Sequence, residues 1–258
     1  MHGQAIYVIL LRELKRYWRA KGRIVSSLAQ GFFFLAVFGL GLGRFVGKFG
    51  DANYLSYVSP GVIGMAILFA SVLSGISVIF DRQFGFMKEM LIAPVSRTSI
   101  VIGKIFGSSV TAVLHGLVLL LVAGLIGAFS PTLALVAGVP LAVGVMFLIA
   151  AGFVGLGVTI GSALNDMHSF QLLATFLMWP LFVLSGVFFP VDSSPLWLQI
   201  AMFCDPLFYG VELLRGCLLG TMTPLLGPFG WLIALGVLLG FIALTTIIST
   251  YLFSHVKV

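Results

Sequence analysis

The chain has 258 residues; 60% are apolar and only 9% are Asp, Glu, Lys or Arg, with 24 Phe, 31 Gly and a formal net charge of +6. A soluble domain carries about 25% charged residues and a disordered chain is poor in apolar and aromatic ones, so both classes are excluded. Two cysteines and no Cys/His cluster of zinc-site spacing exclude a disulfide or zinc scaffold, which leaves an integral membrane protein.

The first predicted element is a helix over 6–23. Ile6, Tyr7, Leu10, Leu14 and Tyr17 recur at spacings of three and four, while Arg12, Arg16, Arg19 and Arg23 share the other side. A helix of this kind lies in the membrane interface, its basic face toward lipid phosphates or a partner protein. A plain topology anchor is an equal alternative. An α-helix needs about 20 apolar residues to cross the ~30 Å hydrocarbon core. Six stretches meet that length: 24–43, 58–80, 110–129, 140–160, 170–188 and 231–253. All 14 basic and 8 acidic residues fall outside them. The alternation of membrane β-strands is absent, so the fold class is an all-α polytopic membrane protein. No small-residue cleavage site follows the first apolar stretch, which is read as a retained span.

Orientation follows the Lys/Arg bias of the connections. Arg12, Lys15, Arg16, Arg19, Lys21 and Arg23 precede the first span, Arg82, Lys88, Arg97 and Lys104 lie in the second connection, and Lys257 is in the tail. With these eleven on one side and Arg44, Lys48 and Arg215 on the other, both termini are cytoplasmic. Glu13, Asp81, Glu89 and Asp166 bring the inner total to +7, and Asp51, Asp192, Asp205 and Glu212 bring the outer one to −1. The basic charge thus reports topology, and nucleic-acid binding is not needed to account for it.

The second connection mixes Phe84, Phe86, Met87, Met90 and Leu91 with Arg82, Lys88 and Glu89. Pro94 ends that element, and Ser96, Thr98 or Ser99 caps a fresh helix running past Lys104 into the third span. A short helix floating in the interface and one docking into a groove on another protein fit equally. The fifth connection, 190–230, begins with Ser193 or Ser194 as a cap and Pro195 near the first helical position. A helix over 195–204 is broken by Asp205-Pro206, and a second covers 207–219. Apolar segments this short read as a re-entrant hairpin, here on the external side, where Asp205, Glu212 and Arg215 can pair. Cys204 and Cys217 read as unbridged thiols packed as small hydrophobes, with a disulfide as the alternative.

The chain lacks an ATP site. A P-loop needs Gly-x-x-x-x-Gly-Lys-Ser/Thr; Gly103-Lys104 is preceded by Thr98 and followed by Ile105, and Gly47-Lys48 by Leu42 and Phe49. His115 is the one ionisable candidate inside a span and reads as a helix-packing group rather than a proton relay. Ser74, Ser77 and Ser185 carry no nucleophile motif. Gly39, Gly41 and Gly43, Gly157 and Gly161, and Gly236 and Gly240 have helix-packing spacing and read as intramolecular contacts. A path without fixed charge suits an apolar, amphiphilic or sugar-like cargo, and Phe32, Phe33, Phe34, Phe38, Phe69, Phe153, Phe176 and Trp179 either line it or face lipid.

Phe84-Gly-Phe-Met-Lys-Glu-Met-Leu-Ile-Ala-Pro-Val-Ser-Arg97 with Gly103-Lys104 resembles the segment after the second span of ABC-2-type exporter permeases. The run from Pro180 to Pro190, and that from Asp205 to Gly216, resembles their fifth span and external hairpin; Asp205 stands where many members have Asn. The resemblance covers essentially the whole chain and is nearest to the daunorubicin-resistance and nodulation-factor exporter branch. It implies one transmembrane domain, 1–258, comprising an interface helix at 1–23 and five spans over 24–188 with a coupling loop at 81–107. A hairpin at 189–230 and a last span with tail at 231–258 complete it. It also implies a cell-membrane homodimer served by two ABC ATPase subunits that hold the ATP and Mg, this chain being no enzyme and holding no cofactor. Phe84, Phe86, Met87, Lys88, Glu89, Met90 and Leu91 then form the coupling helix, Arg12, Arg16 and Arg19 the ATPase interface, and Pro190, Asp205, Pro206, Glu212 and Arg215 the external gate. A non-transporting membrane scaffold and a passive channel are the alternatives.

Overall fold

In lipid a spanning segment must satisfy its backbone polar groups internally, which favours helix throughout. The computed structural model describes residues 2–19, 21–42, 48–49, 52–85, 96–129 and 133–255. The first helices are α1 (His2–Arg19) and α2 (Lys21–Phe34), α2 being continued by a π-helical segment, Leu35–Leu42. Then come α3 (Tyr54–Ser74), α4 (Ile76–Gln83), α5 (Arg97–Leu125), α6 (Leu133–Ala163) and α7 (Met167–Leu184). The short helices α8 (Leu196–Phe203) and α9 (Pro206–Leu219) precede α10 (Gly230–His255). Ahead of α3, Lys48–Phe49 (β1) and Ala52–Asn53 (β2) form a small antiparallel pair with Lys48 opposite Asn53.

Among the described residues, five helical runs are long and apolar enough to cross a membrane: Tyr54–Gln83, Arg97–Leu125, Leu135–Ala163, Met167–Leu184 and Gly230–Ser254. Over the expected first span, 24–43, helix runs from Lys21 to Leu42. The helix of the third span, α5, begins well before its apolar stretch, 110–129. Ser96 is its cap, with Ser99 N–H donating to Ser96 Oγ at 3.2 Å. A helix of 29 residues measures about 43 Å, more than the ~30 Å core, so its first turns, which carry Lys104, have room outside the hydrocarbon.

The centre belongs to α3, α4 and α6. Within its most apolar window, Tyr54–Gln83 is 83% buried, whereas Met167–Leu184 and Gly230–Ser254 are each 22% buried. The central helices touch backbone to backbone. A Cβ at Gly75 would lie 2.1 Å from Gly157 O, one at Gly157 2.4 Å from Val72 O, and one at Gly161 2.5 Å from Gly75 O. Small residues four apart on α6 therefore serve packing within the chain. Gly236 and Gly240 differ, with no heavy atom within 4 Å of their built Cβ positions.

Gly157→Leu must push backbone away from backbone. It is expected to cost more than the ~1–3 kcal/mol typical of overpacking, read as a lowered thermal midpoint and loss of monodisperse protein in detergent. Gly236→Leu, on an open face, is expected to leave the midpoint within about 0.5 kcal/mol of the parent.

Candidate functional site

Burying a charge is costly unless it is paired and hydrogen-bonded, and at the α1 end of the bundle five charged side chains meet. Lys104 on α5 is 1% exposed. Its Nζ lies 2.5 Å from Asp81 Oδ2 on α4, 3.2 Å from Ser77 Oγ and 4.0 Å from Glu13 Oε1 on α1. Arg12 donates to Asp81 Oδ1, and Arg16 lies 3.3 Å from Glu13 Oε2. The seat for α1 is shaped by Gly103 and Gly107, four apart on α5. A Cβ at Gly103 would stand 3.2 Å from Ile9 Cβ, and one at Gly107 3.2 Å from Leu10 Cα. Farther along the same seam, Tyr17 packs edge-on against His115 at 5.2 Å, and His115 Nδ1 is 3.0 Å from Thr111 O in its own helix. His115 is thus a seam residue.

The structure therefore gives α1 a protein partner. Of the face expected to be apolar, Tyr17 is buried, Leu10 and Leu14 are half-buried and Tyr7 is exposed. Of the basic residues, Arg12 and Arg16 carry ion pairs, while Lys15 and Arg19 are exposed. Glu13, which the amphipathic pattern did not single out, sits at the centre of the seam.

Two further arginines at this end cover helix C-termini, where carbonyls are unpaired and the dipole favours cations. Arg82 Nη1 donates to Asn165 Oδ1 at 2.6 Å and to Leu164 O at 3.3 Å, and Nη2 donates to Ser162 O at 3.1 Å. Arg97 donates to Ser254 O near the end of α10. Asp166 caps α7 by accepting from Ser169 N–H at 2.7 Å, and that bond holds its carboxyl below the usual range. Phe84 is 67% exposed and stacks on Phe80 with centroids 5.9 Å apart. Phe86, Met87, Lys88, Glu89, Met90 and Leu91 lie outside the described residues.

The opposite end holds two short helices, α8 and α9, with the break between them at Asp205-Pro206. Pro206 occupies the first turn of α9, and the Pro190 carbonyl accepts from the Ser193 and Ser194 hydroxyls at 3.1 and 3.0 Å. Glu212 and Arg215 pair at 2.5 Å, both nearly fully buried. Arg215 Nη2 also donates to Gly186 O at 2.6 Å, and its guanidinium lies 3.9 Å over the Tyr57 ring. Tyr57 Oη donates to the same carbonyl at 3.1 Å, and Thr223 N–H donates to Glu212 Oε2 at 2.8 Å. Gly186 needs its glycine, since its φ is +72°. Tyr57, Gly186 and Thr223 were not visible as site residues, because each contributes backbone or a ring rather than a charge. Asp205 does not join the pair; it caps α9 by accepting from Leu207 N–H at 2.9 Å. Cys204 is exposed, Cys217 is buried, and both are free thiols.

The aromatic residues divide. Phe153 is fully buried against Phe241, with centroids 5.1 Å apart. Phe34, Phe38 and Trp179 gather around Phe182 and Phe188 between α2 and α7, and Phe69 joins at Trp179. Phe32, Phe33 and Phe176 are exposed.

Burial pushes the Asp205 carboxyl up to about 8 from its ordinary 3.8, with the Leu207 and Phe208 N–H groups pulling the other way, and its second oxygen has no partner among the described residues. A raised folded value means that stability is full below the ordinary value and is lost as pH rises through the folded one. The neutral acid presents the same capping oxygen as Asn. Asp205→Asn is therefore expected to keep the fold and flatten the fall in thermal midpoint from about pH 5 to about pH 8; an unchanged pH slope contradicts this.

The ABC-2 type transporter family model matches residues 4–219. Nodulation protein J of Rhizobium leguminosarum bv. trifolii is 28% identical over 222 residues, covering 84% of this chain and 83% of that protein. The transport permease ycf38 of Cyanophora paradoxa is 26% identical over 215 residues, 82% of this chain and 73% of its own length. Its counterpart in Porphyra purpurea is 25% identical over 260 residues, 98% and 88% of the two chains. With a match that takes in both charged ends of the bundle, the chain belongs to the ABC-2 type transporter family, as a multi-pass transmembrane transport subunit to which an ABC ATPase is the implied partner.

Proposed function

We propose that the chain is the permease of an ATP-driven exporter, acting as a homodimer with two ATPase subunits that hold the ATP and Mg. The cargo is hydrophobic or amphiphilic: a drug, a lipid or a lipid-linked glycan. The observation that carries this reading is the buried ion cluster, which fastens α1 and both arms of the connection 81–104 to one end of the bundle. Such a fastening fixes how α1 and the two arms are oriented to one another, which suits an end on which a partner pushes. On this reading the α1 end is cytoplasmic, as are both termini, in the cell membrane. Exposed Arg19 then meets the ATPase beside Arg12 and Arg16, and residues 84–91 transmit its motion.

Broad apolar faces on α2 and α7, including Phe33 at 60% and Phe176 at 77% exposure, suit lipid and a second copy of the chain. At the external end, Pro190, Asp205 and Pro206 shape the re-entrant hairpin and the Glu212–Arg215 pair ties it to the spans through Tyr57 and Gly186, together forming the gate. Outward opening follows when ATP-driven closure of the ATPase subunits displaces the first and fifth spans.

Ala at Phe86 and Met87, or charge reversal at Lys88 and Glu89, is expected to leave the ATPase bound to the chain. Lipid or drug stimulation of ATP hydrolysis in proteoliposomes should nevertheless fall about tenfold, the equivalent of ~1.4 kcal/mol in an activation barrier. Normal stimulation in these variants would remove the coupling role from 84–91. Failure of the chain to co-purify with any ABC ATPase would remove the permease reading itself.

A further inference from the structure

Asp81 and Arg82 are consecutive in the last turn of α4, and consecutive helical side chains do not face the same neighbour. They reach two separate parts of the molecule. Asp81 divides its carboxylate, Oδ1 taking Arg12 of α1 and Oδ2 taking Lys104 of α5. Arg82 spreads its guanidinium over Ser162 O, Leu164 O and Asn165 Oδ1, at the end of α6 and in the turn before α7. Asn165 directly precedes Asp166, the cap of α7.

The two destinations differ from the centre of the bundle in packing. Backbone contact through Gly75, Gly157 and Gly161 locks α3 and α4 against α6. By contrast, α7 is among the least buried spans. The α1 helix leads toward α2, whose aromatic face reaches α7 through Phe34 and Trp179. A displacement at the end of α4 therefore has two charged routes outward and a rigid core between them.

We propose that Asp81-Arg82 is a fork. Asp81 transmits movement of the 81–104 connection to α1 and the first span, and Arg82 transmits it to the fifth span through the α6–α7 turn. Both are positioning residues. The chemistry of each prong is specific. Asn at position 81 would turn an amide NH₂ toward a cation, and an ammonium at position 82 lacks the planar fork with which a guanidinium spans several oxygens. The inference rests on the permease reading above and goes beyond it in assigning separate routes to the two mobile spans.

The test uses the complex of this chain with its ATPase, in a Cys204→Ala, Cys217→Ala background. One environment-sensitive fluorophore is attached at Trp18→Cys on α1 or at Leu172→Cys on α7, both exposed positions. Fluorescence is compared between the nucleotide-free and ATP–vanadate-trapped states. With Asp81 and Arg82 intact, both labels should respond. Arg82→Gln should reduce the α7 response at least about fivefold, the lower end of typical inter-site coupling, and spare the α1 response. Asp81→Asn with Lys104→Met, which removes both members of the buried pair so that neither is stranded, should do the reverse. Arg82→Lys should be intermediate at α7 and serves where the Gln variant fails to fold. The fork is overturned if each response survives loss of its own prong, or if either variant removes both responses from an assembled, ATP-hydrolysing complex. Absence of any response with Asp81 and Arg82 intact overturns the permease reading, and the fork with it.

Discussion

In a chain that is 60% apolar, a charge taken out of water stays only beside its opposite, and that constraint decides how the ends of this bundle are built. Lys104 cannot be buried on α5 without Asp81, and Asp81 cannot be buried on α4 without a donor for each oxygen. Arg12 supplies the second donor, so α1 is drawn from the interface onto the helices. At the hairpin end the same requirement pairs Glu212 with Arg215 and recruits Tyr57, Gly186 and Thr223 to satisfy what the pair leaves open. Removing one member of either cluster strands the rest, which is why such clusters fix orientation more than they add stability.

Between these ends the packing is uneven, and the unevenness has a use. Where Gly75 meets Gly157 the helices approach at backbone distance, and a close-packed contact of that kind deforms little. Of the spans around it, α7 is only 22% buried over its apolar window, whereas α10 packs along α6, with Phe241 and Thr245 against Gly152 and Gly155. A close-packed centre with one lightly packed outer span, α7, can change the position of that span without repacking its core. That property suits a transport subunit whose driving force comes from another chain.

Much of this was legible in the sequence. Apolar stretches located the long helices, Asp205-Pro206 marked the break between α8 and α9, and Ser96 was among the caps foreseen for α5. The motif from Phe84 to Arg97 pointed to the family that the comparisons establish. The first span, expected at 24–43, lies in helix that runs from Lys21 to Leu42, with its second half π-helical, a change of winding that hydropathy does not register. The ion cluster was hidden for a different reason. Treating charged residues as span limits set Asp81 and Lys104 outside the membrane and apart from each other, though helices of 29 residues extend about 13 Å beyond a ~30 Å core and bring such positions together. A helical pattern of three and four likewise reads Glu13 as one more polar residue, whereas Gly103 and Gly107 opposite it mark the groove in which it lies.

Fastened by the ion cluster, α1 and α5 should move as one body at the end proposed to meet the ATPase. A Cβ built at Gly103 lies 3.2 Å from Ile9 Cβ, close to the ~3.5–4.5 Å that a disulfide spans, so Ile9→Cys with Gly103→Cys can lock the two helices. The direct measurement is the ATPase rate of the reconstituted complex before and after oxidation, in a background free of Cys204 and Cys217. The account predicts a rate unchanged by the cross-link. A rate that collapses on oxidation and returns with reductant would show that α1 must slide on α5, and would contradict it.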